Sequence, residues 1–180
     1  MYSFRNDYSE GAHPKVLQAL ADTNLRQTVG YGMDPCCQAA ADTIRRLCAA
    51  PDAAVHFLVG GTQVNLVTID AFLQSYEAVV AAQTGHVSTH ETGAIEATGH
   101  KVCTVESPDG KLTPALVESV LAGHNGTEHM VLPRMVYISD TTEIGTVYTR
   151  AELAALLEPH FHGVEFRRVG RSSLLVWGIR

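Results

Sequence analysis

Short apolar runs alternate with segments of helical periodicity over the middle of this chain, and few folds accept that order. AVHFLV (Ala54–Val59), EAVVAA (Glu77–Ala82), HKVCTVE (His100–Glu106) and a run within HMVLPRMVYIS (His129–Ser139) read as buried strands. TQVNLVTIDAFL and HETGAIEATG fall between them and read as helices, PDGKLTPALVESVLAG reads as a turn and then a helix from Thr-Pro to about Leu121, and TRAELAALLE begins another with Thr149 as its cap. Parallel strands need such crossovers, so the pattern predicts an α/β fold with a mostly parallel sheet flanked by helices. Two helices precede the sheet: HPKVLQALADTN, with Pro14 in its first turn, and DPCCQAAADTIRRLCAA, with Asp34 as cap and Pro35 following, joined through the GYG turn at Gly30–Gly32. At 180 residues, with neither an internal repeat nor a linker-like stretch, this is material for one ordinary domain.

Charge narrows the ligand class. A net charge of −6 argues against a nucleic-acid or anionic-membrane surface and leaves small molecules as the expected ligands. No apolar run reaches the ~20 residues of a membrane helix, and MYSFRNDYSEG lacks the basic start and apolar core of a signal peptide, so we expect a cytoplasmic protein. Cys36, Cys37, Cys48 and Cys103 have no CxxC spacing, so reduced thiols and no metal site are expected.

In an open α/β sheet, ligands sit beyond the carboxyl ends of the strands, where turns lead into helix N-termini. GGTQ lies at such a place. Gly60 and Gly61 allow close backbone approach to an anion, Thr62 adds a hydroxyl, and the following helix offers free N–H groups and the positive end of its dipole. The same two glycines also suit a plain strand-to-helix turn, and they match neither GxGxxG nor GxxxxGK[ST]. TGHVSTHETGAIEATGH (Thr84–His100) opens on the same sheet edge, and its His86 can cover a bound ring or take a proton. His90 and Glu91 follow it, but HETGA departs from HExxH at its last position, which argues against zinc. VYISDTTEIGTVYT puts Asp140 after a later strand, where it either orients a polar ligand group or forms a turn. Arg5, in the polar N-terminal loop, is either a carboxylate ligand or a surface residue.

FRNDYSEGAHPKVLQAL, VGYGMDP, HFLVGGTQVNL, TGHVSTHETGAIEATGHKV, DGKLTP and VYISDTTEIGTVYTRAELAAL, taken in this order, resemble the N-terminal half of the low-specificity L-threonine aldolases of the β-eliminating lyase group. The resemblance implies a partial large domain of the pyridoxal phosphate (PLP) fold type I, with PLP as cofactor. It matches Gly61 and Thr62 to the phosphate-binding Gly-Thr, with Gly60 preparing the turn, and His86 to the histidine stacked on the pyridine ring. Asn6 stands where relatives often have a serine near the substrate carboxylate. Tyr31 matches a tyrosine in the loop that builds the neighbouring subunit's site, which implies a homodimer or homotetramer. Asp140 stands where many relatives have asparagine.

PLP chemistry needs a lysine that bonds to the cofactor, a carboxylate for the pyridine nitrogen and usually an arginine for the substrate. The three lysines are Lys15 on the first helix, Lys101 at a strand start and Lys111 in a turn, and none follows a late strand as the family's lysine does. Where relatives continue into an apolar strand ending in Asp-Gly-Ala-Arg, this chain reads LEPHFHGVEFRRVGRSSLLVWGIR. We therefore divide it into residues 1–157, an N-terminal segment with an incomplete PLP-binding domain, and a divergent tail at 158–180. The tail shows no clean strand pattern before Leu174–Trp177, and we read it as a frameshifted or interrupted continuation, since C GAC GG encodes Arg-Arg in another frame. A sheet cut short in this way is expected to be marginally stable, with an exposed edge and apolar faces.

The resemblance implies cleavage of a β-hydroxy amino acid, L-threonine or L-allo-threonine, to glycine and an aldehyde, with this chain inactive by itself. The alternatives are a β-eliminating lyase acting on another amino acid, and a noncatalytic remnant that binds a phosphorylated ligand or a full-length partner.

Overall fold

In a computed structural model, residues 6, 8–124, 126–159, 162–169 and 173–179 are described, the last two stretches by backbone course alone. Seven helices are present among them: α1 (Pro14–Thr23), α2 (Pro35–Cys48), α3 (Gly61–Phe72), the single turns α4 (His86–Thr89) and α5 (Ala94–Ala97), α6 (Pro114–Gly123) and α7 (Arg150–Leu157). β1 (Glu77–Ala82) lies between β2 (Lys101–Val105) and β3 (Leu132–Val136), and both pair with it in parallel. Val80 is in register with Cys103 on one side and Val136 on the other. Pro133, which has no N–H to give a further strand, lies on the flanking β3.

Being paired on both edges, β1 carries side chains to two cores at the two-residue period of a strand. Ala78, Val80 and Ala82 face Cys103, Leu112, Val117 and Leu156, which come from β2, α6, α7 and the loop before α6. Val79 and Ala81 face Ile69, Leu73, Val87 and Ile95, from α3 with its cap residue, α4 and α5. Each fully buried Val or Ile contributes about 1.5–3 kcal/mol in area terms. One strand thus fixes the helices on both faces of the sheet.

The expected α/β architecture is present, with three differences in detail. Ala54–Val59 joins no sheet: Phe57, Leu58 and Val59 are exposed, and the Val59 N–H donates to Gln63 Oε1 at 2.8 Å instead of to a ladder. Apolar character suggested a buried strand here, but β1 already has a neighbour on each side and neither flanking strand takes this segment up. HETGAIEATG is not one helix either, because Thr92 and Gly93 take left-handed backbone angles (φ 56° and 75°) and separate α4 from α5. In the tail, β4 (His162–Val169) pairs antiparallel with β5 (Ser173–Ile179). The alternation Val164-Glu165-Phe166-Arg167 suits a strand, and the adjacent arginines Arg167 and Arg168 mask it in the sequence.

A polar clamp closes the face formed by α6 and α7. Lys111 Nζ lies 2.6 Å from Glu152 Oε1, and Thr149 and Glu152 form a reciprocal capping box at the start of α7. Beside them, the Leu112 N–H donates to Tyr148 Oη at 2.5 Å. The Lys111 ammonium and then the Thr149 N–H and hydroxyl hold the Glu152 carboxyl down at about 2 from an ordinary 4.5. A carboxyl lowered by folding stabilises above its unfolded pKa and loses that contribution as pH falls through its folded one. The urea midpoint of the wild type should therefore drop between pH 4.5 and about 2 more steeply than that of Glu152→Gln, and parallel curves would refute the clamp. Tyr148→Phe leaves the Leu112 N–H unpaired and should cost about 1–3 kcal/mol in urea unfolding. Ile95→Ala, at a side chain with no exposed surface, should cost about 2–5 kcal/mol.

Candidate active site

The carboxyl end of β1 runs through Gln83, Thr84 and Gly85 directly into α4, which makes His86 the first residue of that turn. The turn is tight enough to require glycine: a Cβ on Gly85 would lie 3.0 Å from the Ala82 carbonyl oxygen and 3.6 Å from the Ala81 Cβ. Gly85 thereby lets the chain bend straight off the buried strand and set the His86 ring at the sheet edge, with 44% of its side chain exposed.

Below that ring lies a buried carboxylate. Glu91 has no exposed side-chain surface, and its Oε1 is 2.7 Å from His86 Nδ1. Asn65 Nδ2 donates to the same oxygen at 2.7 Å, while Glu91 Oε2 is buried without a hydrogen-bond partner among the described residues. On its other side the His86 ring stacks against His90, with centroids 5.4 Å apart and planes 25° apart, and His90 Nδ1 is 2.6 Å from Thr89 Oγ1. Asn65 also reaches the Tyr137 hydroxyl, just past β3. Burial pushes the Tyr137 phenol up, a Ser139 hydrogen bond opposes this, and the charges of Glu143 and Glu91 add to it. Ser139 Oγ lies 3.3 Å from Tyr137 Oη and donates to Glu143 Oε1 at 2.5 Å. Polar side chains from α3, the α4–α5 turn and the loop after β3 thus meet at one edge of the sheet.

Asn65 stands four residues after Gly61, on the same face of α3 and one turn along it. The network therefore ties the His86 ring to the start of α3. Gly60 is the N-cap, in extended conformation, with no side-chain cap bond, and the first turn of α3 holds no acidic residue. A Cβ on Gly60 or Gly61 would meet nothing within 4 Å, so the space before the helix is open. Unpaired first-turn N–H groups, the Thr62 hydroxyl and the absence of negative charge make a donor set that fits a phosphate. The residues present thus fit the phosphate end and one ring face of PLP.

No hydrogen bond among the described residues joins the remaining candidates to this cluster. Asp140 Oδ1 accepts from the Tyr148 N–H at 3.1 Å and pins the loop between them. Asn6 Oδ1 accepts from the Tyr8 N–H at 3.2 Å and from Ser9 Oγ at 2.6 Å, a local turn. Tyr31 is fully exposed with φ 62°, a backbone angle that a bulky residue seldom adopts. Arg5 lies outside the described residues. Lys15 is exposed on α1, Lys101 begins β2 at the end of the sheet opposite His86, and Lys111 is taken up by Glu152. No group of three metal-ligating side chains occurs among the described residues. Asn65, Tyr137 and Glu143 carried no sequence signal beyond being polar next to apolar runs, and Glu91 drew attention only as a neighbour of His90.

Known proteins bear on this arrangement. The chain is 35% identical over 173 residues to the low specificity L-threonine aldolase of a Pseudomonas species and 34% identical to that of Pseudomonas aeruginosa, covering 91% of its own length in each case. It spans about half of those relatives, 49% of each. A solved structure of Leishmania major threonine aldolase superposes with a TM-score of 0.83 at 56% identity, over 87% of this chain and 45% of that one. The fold is accordingly that of threonine aldolase, a PLP fold type I protein, represented here by part of its large domain. A family model described as beta-eliminating lyase matches residues 4–163, and with it the chain belongs to the β-eliminating lyase family.

Proposed function

We propose that this chain is the cofactor-cradling half of a PLP-dependent aldehyde-lyase that cleaves a β-hydroxy amino acid, L-threonine or L-allo-threonine, to glycine and an aldehyde. The observation that carries the reading is the Asn65–Glu91–His86 connection, which joins an anion-binding helix start to a half-exposed imidazole in a member of this family. The first-turn N–H groups of α3 and the Thr62 hydroxyl hold the cofactor phosphate, with Gly60 and Gly61 keeping the approach open. His86 covers one face of the cofactor ring and stands ready to hold a proton at Nε2. Asp140 orients a polar group of the cofactor, and Asn6 lies toward the substrate carboxylate. Bound PLP supplies the electron sink for the pair released when the carbon–carbon bond breaks. The reading assigns the covalent lysine to none of Lys15, Lys101 and Lys111, so this chain by itself binds PLP reversibly and does not turn over.

Tyr31 projects from its turn into open space, which supports a role in the site of a neighbouring subunit within a homodimer or homotetramer. Four unpaired cysteines support a cytoplasmic location, and no helix among the described residues is long and apolar enough to cross a membrane. A second reading, a noncatalytic remnant paired with a full-length subunit, draws on the exposed Val16, Leu17 and Leu20 of α1. Copurification of a longer homologous subunit would favour it. We keep the division between 157 and 158 as a proposal, to be tested by sequencing the coding DNA for a frame that restores an apolar-Asp-Gly-Ala-Arg run.

Titrating the chain with PLP should give saturable absorbance changes that dialysis reverses, and borohydride should fix no adduct; a stable adduct on one lysine would overturn the assignment. Thr62→Val should weaken binding about tenfold, the loss of ~1.4 kcal/mol expected for one hydrogen bond to an anion. A chain extended to the length of its relatives should release glycine from L-threonine. If neither the chain nor its extended form binds PLP, the proposal falls.

A further inference from the structure

We propose that Glu91 is a positioning residue that holds His86 in the tautomer with the proton on Nδ1, leaving Nε2 as the bare proton acceptor at the site. This deepens the reading of His86 given above and rests on it for its use in catalysis, but the contacts behind it belong to the chain alone. Glu91 Oε1 lies 2.7 Å from each of two nitrogens, Asn65 Nδ2, which donates to it, and His86 Nδ1. An ionised carboxylate can only accept, so Nδ1 must carry a hydrogen. Asn65 fixes the sense of the arrangement, because turning its amide over would point an oxygen at the carboxylate. His86 Nε2 has no hydrogen-bond partner among the described residues, and the ring is held edge-on by Glu91 and face-on by His90.

The arrangement follows the logic by which a buried carboxylate orients a histidine elsewhere in enzymes: the acid accepts at one ring nitrogen and the other is left for chemistry. Glu91 has no exposed side-chain surface, so it acts on bound molecules through its partners, of which His86 is the one that reaches solvent with a titratable ring. His90 on the adjoining turn and Tyr137 past β3 are the other titratable groups around the pair. A merely structural Glu91 would anchor the turn between α4 and α5 and leave the tautomer of His86 unaffected.

Nitrogen-15 spectra of the full 180-residue chain with labelled histidine, recorded about two pH units above the ordinary imidazole pKa of ~6.5, read the tautomer directly. The His86 signals are those lost in His86→Gln. The wild type should show Nδ1 protonated and Nε2 bare. Glu91→Leu should convert this to the mixed population of a free imidazole, and Glu91→Gln, whose amide oxygen can take both donors, should retain it. A wild type with the proton on Nε2 overturns the proposal, and so does an unchanged tautomer in Glu91→Leu. Should Glu91→Leu fail to fold, the wild-type spectrum decides the matter: a proton on Nδ1 supports the proposal and a proton on Nε2 overturns it. None of these spectra requires PLP, so failure here is separable from failure of the cofactor assignment.

Discussion

The pairing of β1 on both edges is the constraint on which the rest of this molecule depends. A strand with no exposed edge and no exposed face must be apolar at every position that carries a side chain inward, and five successive residues, Ala78 through Ala82, are buried. Along each face of that run alanine alternates with valine, Ala78-Val80-Ala82 on one and Val79-Ala81 on the other, which lets helices approach closely on both sides. On one side α6 and α7 lie over Val80, and on the other α3, α4 and α5 lie over Val79 and Ala81. The site inherits this rigidity. His86 is four residues past the end of β1 and α3 is anchored through Ile69, so the two parts of the cradle are fixed to one strand.

That dependence explains what could be read from the sequence. Ala78–Ala82 is unmistakable because complete burial leaves no polar residue within it, and helices on either side of it in sequence are marked by caps such as Asp34 and Thr149, both of which bond as expected. Phe57-Leu58-Val59 shows the limit of the same reasoning, since apolarity records a preference for burial but not whether a partner exists to satisfy it. Thr92 shows another: a left-handed threonine is set by the surrounding packing and has no local signature. Gly60, Gly61 and Thr62 stood out as a candidate anion site because turn chemistry is local. The bond between Asn65 and Glu91 spans 26 residues of sequence and is visible only once α3 and the α4–α5 turn are packed on the same face of β1.

The cores of the sheet contrast with the N-terminal helices. α1 buries no residue and α2 only Ala41, although Val16, Leu17 and Leu20 of α1 fall on one helical face, as amphipathic packing requires. A helix of this length seldom persists in water on propensity alone, and most helical stability in proteins comes from covering such a face. The apolar stripe is therefore a surface whose energy is realised only when something lies against it. Tyr31 and Met33, in the loop between the two helices, are exposed as well. This is the physical basis for reading the N-terminal region as the part of the chain that associates.

Within the cradle there is a division of labour. In the proposed reading, what gathers at the end of β1 recognises, orients or exchanges protons: helix N–H groups, a threonine hydroxyl, an imidazole and the carboxylate beneath it. Nothing gathered there forms a covalent bond to a carbonyl, and the lysine closest in sequence to the carboxyl ends of the strands, Lys111, is held in an ion pair with Glu152. Releasing it for chemistry would take from Glu152, the acid of the capping box that starts α7, its ion-pair partner. Recruiting Lys111 would thus weaken the start of α7, whose Leu156 packs on the face of β1 that carries Val80. Noncovalent recognition can be built on this half of the fold without that conflict, which is why the cradle and the covalent chemistry are better served by different segments.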